Sequence, residues 1–318
     1  MNLAHLLART ARVCPERPAV ALGEGEILSY GEFFRRVAAT AGCLRSVLGL
    51  RTGDRVALFM ANRPRYLELL YGIWHAGLVA VPINNKLHAR EVAFILENSA
   101  ASLLFVAGDP NDDWRLWCAS AAGLRIISVD DPESLRLTSG EPIAVVPRAP
   151  EDLAWLFYTS GTTGQPKGVM LSQRNLLAMT LAYFPDVDQA TPADSIVYAA
   201  PMSHGAGMYN FAHVLVGARH VVPASGGFDP HEILALARRF GQVSLFAAPT
   251  MVRRLVDHVA DHGADCSGIK TIVYGGGPMY IEDIRRALDV LGDRLVQIYG
   301  QGESPMTITA LARRHLAD

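Results

Sequence analysis

The feature that most constrains the fold of this chain is a repeated alternation between short apolar runs and longer segments with helical periodicity. Apolar runs at 55–60, 78–82 and 102–107 predict buried strands, and the segments at 64–75 and 89–98 predict helices between them. Strand–helix–strand repetition of this kind is typical of mostly parallel sheets that carry helices on both faces. The first part of the chain is therefore predicted to have an α/β fold.

A second series of the same kind follows a polar, turn-rich stretch at 109–148, which we expect to be a surface excursion ending in a linker at 147–151. The strands predicted in this series are 153–158, 195–199, 220–223, 244–247, 271–274 and 295–299, and the predicted helices are 173–183, 207–216, 230–240, 250–262 and 281–291. The two series predict two α/β domains, 1–150 and 151–318, with two mostly parallel sheets packed with helices in layers.

The composition excludes several classes of protein. Half of the 318 residues are hydrophobic and the formal net charge is -2, which argues against a disordered chain and against a nucleic-acid surface. The uncharged stretch 195–218 is interrupted by Pro201, Asn210 and glycines, so we expect a buried strand, loop and helix there rather than a transmembrane segment. The first residues predict an amphipathic helix rather than a secretory signal, and the four cysteines form no CxxC pair. We therefore expect free thiols and a cytoplasmic location.

The segment 156–169 carries the pattern with the most direct chemical meaning. It reads Leu-Phe-Tyr-Thr-Ser-Gly-Thr-Thr-Gly-Gln-Pro-Lys-Gly-Val, an apolar strand followed by a loop rich in hydroxyl groups and glycine. Gly161 and Gly164 allow positive φ and close approach of the backbone, whose N–H groups can then bind an anion. Further donors are the hydroxyl and ammonium groups of Thr159, Ser160, Thr162, Thr163 and Lys167. Such a loop suits a polyphosphate.

This loop differs from the commonest nucleotide-binding motifs. It is not a Walker A loop, because two residues separate Gly164 from Lys167 and Gly168 follows the lysine. The three consecutive glycines at 275–277 do not form a G-x-G-x-x-G fingerprint either. Clusters of Gly, Ser and Thr also occur in loops that bind nothing, so the residues alone leave both a phosphate site and an ordinary loop open.

The complete string at 156–169 resembles the phosphate-loop signature of the adenylate-forming enzymes, the family of acyl-CoA synthetases and AMP-dependent ligases. Three later segments resemble motifs of the same family in the same order. They are 201–207 (Pro-Met-Ser-His-Gly-Ala-Gly), 275–278 (Gly-Gly-Gly-Pro) and 299–303 (Tyr-Gly-Gln-Gly-Glu). Each alone also fits an ordinary loop or turn, but four ordered matches are more specific. The resemblance covers essentially the whole chain and implies the fold of the large N-terminal domain of that family.

The resemblance implies a role for each segment. It implies that 159–164 and Lys167 bind the β- and γ-phosphates of ATP, and that Glu303, with Thr159 as a further contact, holds Mg²⁺, a cation that prefers oxygen ligands. His204, Met208 and Tyr209 would border the acid, and Thr159, Lys167, His204 and Glu303 would be the catalytic residues. The remaining nucleotide contacts would be Gly275, Gly276, Gly277, Pro278, Tyr299, Gly300, Gln301 and Gly302, with adenine against Tyr299 and 275–278.

The sequence departs from the family pattern at several points. Gly302 stands where the family has a Thr, which removes a hydroxyl group expected near the α-phosphate, and Gln173 stands where a His is frequent. The chain ends at Asp318, soon after 299–303, whereas the family continues with a ribose-binding Asp, a hinge and a C-terminal lid domain that carries the adenylation lysine. We therefore expect a truncated form without the lid domain and with impaired turnover.

The activity implied by the resemblance is ATP-dependent activation of a carboxylic acid to acyl-AMP and then to acyl-CoA, an acid–thiol ligase reaction with ATP, Mg²⁺ and CoA. A fatty or aryl acid fits the residues around His204 better than acetate does. Two alternatives stay open: a non-catalytic fragment that binds a nucleotide or an acyl group, and an adenylate former with another acceptor. A homodimer is a further expectation, since apolar surface could be left for self-association.

Overall fold

The structure, a computed structural model, describes residues 1–108, 113–121, 123–159 and 165–316. In chain order, the α-helices are α1 (Ala4–Val13), α2 (Tyr30–Gly42), α3 (Pro64–His75), α4 (Ala89–Asn98), α5 (Asp113–Ser120), α6 (Gln173–Asp186), α7 (Gly205–Met208), α8 (Asn210–Val216), α9 (Pro230–Phe240), α10 (Pro249–His262) and α11 (Ile281–Leu291). A π-helical segment, Cys43–Val47, follows α2, and short 3-10 helices span Pro132–Ser139 and Arg313–His315.

The strands are β1 (Pro18–Leu22), β2 (Gly25–Ser29), β3 (Arg55–Phe59), β4 (Val79–Ile83), β5 (Ala101–Val106), β6 (Arg125–Ser128), β7 (Leu153–Thr159), β8 (Lys167–Ser172), β9 (Ser195–Val197), β10 (Arg219–Val222), β11 (Val243–Ala247), β12 (Ile269–Tyr274), β13 (Leu295–Gln301) and β14 (Ser304–Leu311).

These elements form two compact units that are not contiguous in sequence. The first unit consists of Met1–Val13 and Gly31–Leu177, and the second unit consists of Cys14–Tyr30 and Ala178–Asp318. The division falls inside α6, whereas the sequence predicted one between 150 and 151. The difference arises because β7, which follows residue 151, pairs with β4 of the first unit and with β8. In addition, β1 pairs with β10 of the second unit.

The first unit is built on a six-stranded sheet with the order β6-β5-β3-β4-β7-β8. All neighbours are parallel except β7 and β8, which are antiparallel. Helix α3 is buried from Tyr66 to His75, so neighbouring elements cover most of its circumference and not only its apolar face. The Trp74 indole N–H donates to the Ala154 carbonyl oxygen at 2.9 Å, which ties α3 to β7 inside the core. Strand β7 is thereby held against a rigid helix.

The second unit is built on an eight-stranded sheet with the order β14-β13-β12-β11-β9-β10-β1-β2. Its inner strands are parallel, and the outermost pair at each end, β1–β2 and β13–β14, is antiparallel. Helices α9, α10 and α11 bury apolar stripes against it, and Asp229 caps α9 by accepting a hydrogen bond from the backbone N–H of Glu232 at 2.8 Å. Strands from distant parts of the sequence therefore lie side by side.

The α/β class and the two mostly parallel sheets with helices agree with the prediction. Two local expectations are wrong. The described part of 109–148 is not a plain surface excursion, because it contains α5, β6 and a 3-10 helix. The helix predicted at 207–216 is divided at Tyr209 into α7 and α8. Strands β1, β2, β8 and β14 and helix α2 were not predicted.

The uncharged stretch 195–218 forms a short strand, a loop and two short helices, as expected. Within the described ranges, no helix has the length and apolar character needed to cross a lipid bilayer. Cys14, Cys43 and Cys266 are free thiols, and burial raises the pKa of the Cys43 thiol. The expectation of free thiols is confirmed at these three positions.

Candidate functional site

In the first unit, the predicted phosphate loop connects the antiparallel strands β7 and β8. Thr159 is the last residue of β7 and Lys167 is the first residue of β8, and the two are paired across the ladder. Directly opposed residues of antiparallel strands have their Cβ atoms about 5 Å apart, so a hydroxyl group and an ammonium group stand side by side at the base of the loop. Ser160, Gly161, Thr162, Thr163 and Gly164 lie outside the described residues.

The base of this loop is held by a tyrosine. A Cβ atom built on Gly168 would lie 2.9 Å from the Tyr158 ring, so glycine lets that ring cross the neighbouring strand. The Tyr158 hydroxyl group donates to Asn98 Oδ1 at 2.7 Å, and burial raises the pKa of Tyr158. The ring and the hydrogen bond together fix the positions of Thr159 and Lys167. Nothing in the sequence indicated this role, although Tyr158 lies within the segment 156–169.

In the second unit, the other three motifs meet at one edge of the sheet. Segment 201–207 follows β9, segment 275–278 follows β12, and segment 299–303 includes the end of β13. Strands β9, β11, β12 and β13 are neighbours and run parallel. Since the carboxyl ends of parallel strands share one edge, the three loops are brought together there, which is where open α/β sheets bind ligands.

His204 lies at the turn into α7 and is half-buried. Its Nδ1 atom lies 2.9 Å from the hydroxyl oxygen of Ser203, and burial lowers the pKa of its imidazole. A Cβ atom on Gly207 would lie 1.8 Å from the Met202 carbonyl oxygen, so only glycine fits this tight turn. A neutral His204 can form hydrogen bonds at pH 7 but supplies no positive charge.

Met306 connects two of the three loops. A Cβ atom on Gly205 would lie 2.2 Å from the terminal methyl group of Met306, and one on Gly300 would lie 2.3 Å from the Met306 backbone nitrogen. Met306 itself has a φ of 65°, a left-handed conformation that is uncommon outside glycine. Nothing in the sequence singled out this residue, because its contacts depend on the β13–β14 pairing.

The segment 275–278 leaves β12 as a sharp turn. A Cβ atom on Gly275 would lie 2.7 Å from the Ile298 carbonyl oxygen, so the loop presses against β13. Gly276 has a φ of 80°, which suits glycine, and 276–278 are exposed. An exposed backbone turn at the edge of a sheet can form hydrogen bonds with a planar ligand.

The segment 299–303 forms the tip of a hairpin. Gln301 pairs with Ser304, so Gly302 and Glu303 form a two-residue turn between β13 and β14. Tyr299 is 51% exposed, and its hydroxyl oxygen accepts a hydrogen bond from Gln301 Nε2 at 2.8 Å. The exposed ring offers a flat apolar face, and the exposed Glu303 carboxylate lies four residues further along the chain.

The second unit also contains a cleft of about 430 Å³, a volume within the range of small-molecule sites. Tyr183, Tyr209 and Met306 contribute to its wall, together with residues of β14. Tyr209 was predicted to border the acid, while Met208 is fully buried. The cleft therefore joins one predicted residue to two that the sequence did not indicate.

Behind this wall lies a cluster of buried polar atoms. The ring of Tyr183 packs edge-on against Tyr209 at 5.4 Å and against His213 at 5.5 Å. Ser244 forms a side-chain hydrogen bond with Tyr183. Among the described residues, no hydrogen-bond partner is present for the Tyr209 hydroxyl group or for His213 Nε2. Burial lowers the pKa of His213 to about 4, and its Nδ1 atom lies 2.8 Å from the Tyr209 carbonyl oxygen. A buried polar group without a partner costs about 1–3 kcal/mol, so a ligand or water would stabilise this cluster.

Comparison with known proteins supports the resemblance to the adenylate-forming enzymes. A family model described as "AMP-binding enzyme" matches residues 7–317. A feruloyl-CoA synthase of an Amycolatopsis species is 35% identical over 312 residues, which are 98% of this chain and 61% of that protein. A fatty acid–[acyl-carrier-protein] ligase, ScoC, of Streptomyces coeruleorubidus is 30% identical over 313 residues, which are 93% of this chain and 57% of that protein. The chain therefore spans less than two thirds of the length of these curated relatives.

The fold has a close counterpart among solved structures. The inhibitor-bound N-terminal domain of FACL13 from Mycobacterium tuberculosis aligns with a TM-score of 0.87 at 25% identity, over 98% of this chain and 79% of that one. The likeness extends over both sheets, and the family match extends over nearly every residue. The chain therefore belongs to the AMP-binding enzyme family.

Proposed function

We propose that this protein activates a carboxylic acid with ATP, forming an acyl adenylate and pyrophosphate, and then transfers the acyl group to the thiol of CoA, with release of AMP and the thiol proton. The observation that carries the proposal is the meeting of the 201–207, 275–278 and 299–303 loops at the carboxyl edge of one parallel sheet. Membership of the AMP-binding family and the 35% identity to a feruloyl-CoA synthase support it.

The first chemical requirement is to neutralise the phosphate tail. A carboxylate oxygen attacks the α-phosphorus of ATP, the bond to the bridging oxygen breaks, and pyrophosphate leaves with its electron pair. An anion attacks a polyanion in this step, so positive charge and N–H donors lower the barrier. We assign the β- and γ-phosphates to Thr159, Lys167 and the loop that connects them, because the β7–β8 ladder places a hydroxyl group beside an ammonium group.

Glu303 is proposed to hold Mg²⁺. Proteins commonly bind this ion through one or two carboxylates and leave its other positions to phosphate oxygens and water. The exposed carboxylate at the hairpin tip fits that donor set, and within the described ranges no group of three or more His, Cys, Asp and Glu side chains could hold a metal. When bound, the ion would neutralise phosphate charge, and the role of Glu303 would be to orient it.

The adenine is assigned to the exposed ring of Tyr299 and the turn at 275–278. A flat ring that is half-exposed can stack on a base, a contact worth about 1–3 kcal/mol. Gly300, Gln301 and Gly302 complete this surface, and the Gly302 backbone N–H replaces the hydroxyl group that the family has there.

For the acid, we propose a hydroxyaryl carboxylate rather than a saturated fatty acid. The similarity to a feruloyl-CoA synthase is higher than that to a fatty-acid ligase, 35% against 30% identity. The cleft beside Tyr209 has aromatic walls, and unpartnered polar atoms lie behind them. A ring with a polar substituent suits such a wall better than an alkyl chain does. His204, neutral because burial lowers its pKa, would orient the acid by hydrogen bonding.

A second candidate function differs only in the acceptor. The 30% identity to a fatty acid–[acyl-carrier-protein] ligase favours a carrier-protein thiol as an alternative to CoA. Both reactions share the adenylation step, so the same residues are assigned in each.

The proposal is tested by binding and by exchange. We expect the protein to bind ATP with Mg²⁺ and to bind a non-hydrolysable feruloyl-adenylate analogue, with sulfamate in place of phosphate, at least about 100-fold more tightly than ATP. Isothermal titration calorimetry measures both, with the hexadecanoyl analogue as the matched comparison. ATP–pyrophosphate exchange, measured with a panel of aryl and fatty acids, reports the chemical step.

Failure to bind ATP and both analogues contradicts the proposed function as a whole. Tighter binding of the hexadecanoyl analogue overturns only the choice of acid. The substitution Tyr299→Ala is expected to lower the affinity for the feruloyl analogue by about tenfold. Tyr280 is another exposed tyrosine of the second unit, and Tyr280→Ala is expected to leave that affinity unchanged.

A further inference from the structure

The last turn of α10 carries two histidines that face each other. His258 and His262 are four residues apart, so their side chains lie on one face of the helix, one turn from each other. Their ring centroids are 4.4 Å apart and their planes differ by 27°. Two imidazoles at this spacing on a helix can donate nitrogen lone pairs to one metal ion.

The second histidine has the tautomer that metal binding requires. His262 Nδ1 lies 2.9 Å from the His258 carbonyl oxygen, which only accepts hydrogen bonds, so Nδ1 carries the proton. In a neutral imidazole the other nitrogen, Nε2, then has a free lone pair. Metal-binding histidines very often donate their second N–H to a backbone carbonyl in this way, because that bond orients the ring.

The helix that carries the pair is rigidly placed. Val252, Leu255, Val256 and Val259 are buried against the sheet of the second unit. The helix ends at Gly263, which has a left-handed φ of 58°. His262 is exposed and His258 half-buried, so a dissolved ion can reach them.

The charges around the pair favour a cation on balance. Asp261 lies on the same face, three residues after His258. Arg254 lies one turn before His258, but its guanidinium group stacks over the Phe228 ring at 5.0 Å. Asp257 forms an ion pair with Arg286 at 2.6 Å. The Asp261 carboxylate is thus the nearest acidic group in sequence that is not described in an ion pair.

A third histidine, His231 at the start of α9, has its ring centroid 6.4 Å from that of His258. This separation is longer than the one within the pair, and the part of the chain described here has no preformed set of three or more such ligands. The candidate ligands are therefore His258 and His262 alone.

We propose that His258 and His262 form a surface chelate for a borderline divalent transition-metal ion such as Ni²⁺, Cu²⁺ or Zn²⁺. Imidazole suits these ions, whereas Mg²⁺ prefers oxygen ligands. Two nitrogens bind the ion and water fills its other positions. Because the folded helix holds the two rings together and the unfolded chain does not, the bound ion stabilises the folded second unit.

Titration with Ni²⁺ in a non-chelating buffer tests this site. We expect the wild-type protein to bind Ni²⁺, and H258A and H262A each to weaken the binding by at least about tenfold, since loss of even an orienting partner of a ligand costs about 10–100-fold. Saturating Ni²⁺ should raise the Tm of the wild type but not that of either variant.

H5A removes an exposed histidine on α1 and serves as the matched control, so it should bind Ni²⁺ as the wild type does. Because all three side chains are at least partly exposed, the variants should fold, which circular dichroism checks. Equal Ni²⁺ affinity in the wild type, H258A and H262A, or no binding to the wild type, overturns the proposal. Neither outcome bears on the proposed ligase reaction.

Discussion

The two units present their loops in different ways. In the first unit, one loop joins two antiparallel strands, and the ladder itself places Thr159 opposite Lys167. In the second unit, three loops that are far apart in sequence meet because their strands are neighbours in a parallel sheet. The hairpin depends on local pairing, whereas the edge of the parallel sheet depends on the whole sheet. A destabilising substitution at the edge of the parallel sheet should therefore affect more of the structure than one in the β7–β8 hairpin.

The largest difference between the units is expected in acid. The second unit has two fully buried histidines, His213 and His220, whereas the first unit has one, His75. Burial lowers the pKa of all three, that of His213 to about 4. In the unfolded state, histidine takes up a proton near pH 6.5. Between pH 6.5 and 4 the unfolded state therefore binds more protons than the folded state, so stability falls as the pH falls through that window. The proton that unfolded His213 takes up should by itself lower the free energy of unfolding of the second unit by about 3 kcal/mol at pH 4.

This prediction can be measured because all four tryptophans lie in the first unit. Tryptophan fluorescence therefore reports the first unit, and hydrogen exchange reports each unit separately. We expect exchange in the second unit to accelerate at a higher pH than the fluorescence change. H213F, which cannot bind a proton, should reduce the acid sensitivity of the second unit. Simultaneous loss of both signals at one pH would contradict the comparison.

The next largest effect is expected from Gly275→Ala. The new Cβ atom would lie 2.7 Å from the Ile298 carbonyl oxygen, a backbone atom that cannot rotate away. Overpacking of this kind costs about 1–3 kcal/mol, and the strain should reach Tyr299 through β13. Urea unfolding should show the loss of stability, and nucleotide binding should be weaker than in the wild type.

Gly277→Ala in the same loop is the matched control. Its nearest neighbour would be Pro249 at 3.8 Å, an ordinary contact, so stability should change by less than about 0.5 kcal/mol. Equal losses in the two variants would show that crowding against β13 is not the cause.

A smaller, local effect is expected from Tyr158→Phe in the first unit. The change removes the hydrogen bond to Asn98 and leaves the ring over Gly168. The free energy of unfolding should therefore fall by about 1 kcal/mol. Hydrogen exchange should quicken near β7 and β8 and stay unchanged in the second unit. Faster exchange in the second unit as well would contradict the expectation that a change in the β7–β8 hairpin has only local effects.

The smallest effect on stability is expected from Lys167→Ala, because the side chain is exposed. The free energy of unfolding should change by less than about 0.5 kcal/mol. The affinity for ATP should fall by about 10–100-fold, because a charge-assisted hydrogen bond is lost. Lys86→Ala, another exposed lysine of the first unit, should change neither quantity. Unaltered ATP affinity in K167A would remove the lysine from the proposed phosphate site.

Much of the fold was predictable because apolar runs and helical periodicity reflect burial directly. Helices α3, α4, α9 and α11 have the predicted bounds, since each combines a clear periodic face with a recognisable start. Ser172, the residue before α6, accepts a hydrogen bond from the Asn175 backbone N–H at 3.2 Å and so caps the helix. Strands β8 and β14 were missed because β8 begins inside the motif and β14 is exposed from Thr307 to Leu311.

The candidate site was predictable only where a motif follows a strand. Positions of His204, Gly275 and Tyr299 could be inferred that way, because each directly follows or ends a buried run. Tyr183, His213 and Met306 could not, because their contacts come from the pairing of segments that are distant in sequence. The same reason explains the shifted boundary between the units, which depends on β1 crossing to β10.

The left-handed Met306 has an evolutionary consequence. Its methyl group occupies the space that a side chain at 205 would need, and its backbone nitrogen occupies the space that one at 300 would need. Relatives that carry a larger residue at either glycine position should therefore have a different residue or a different hairpin at 306. These three positions should change together across the family, as a single inherited unit rather than as separate sites.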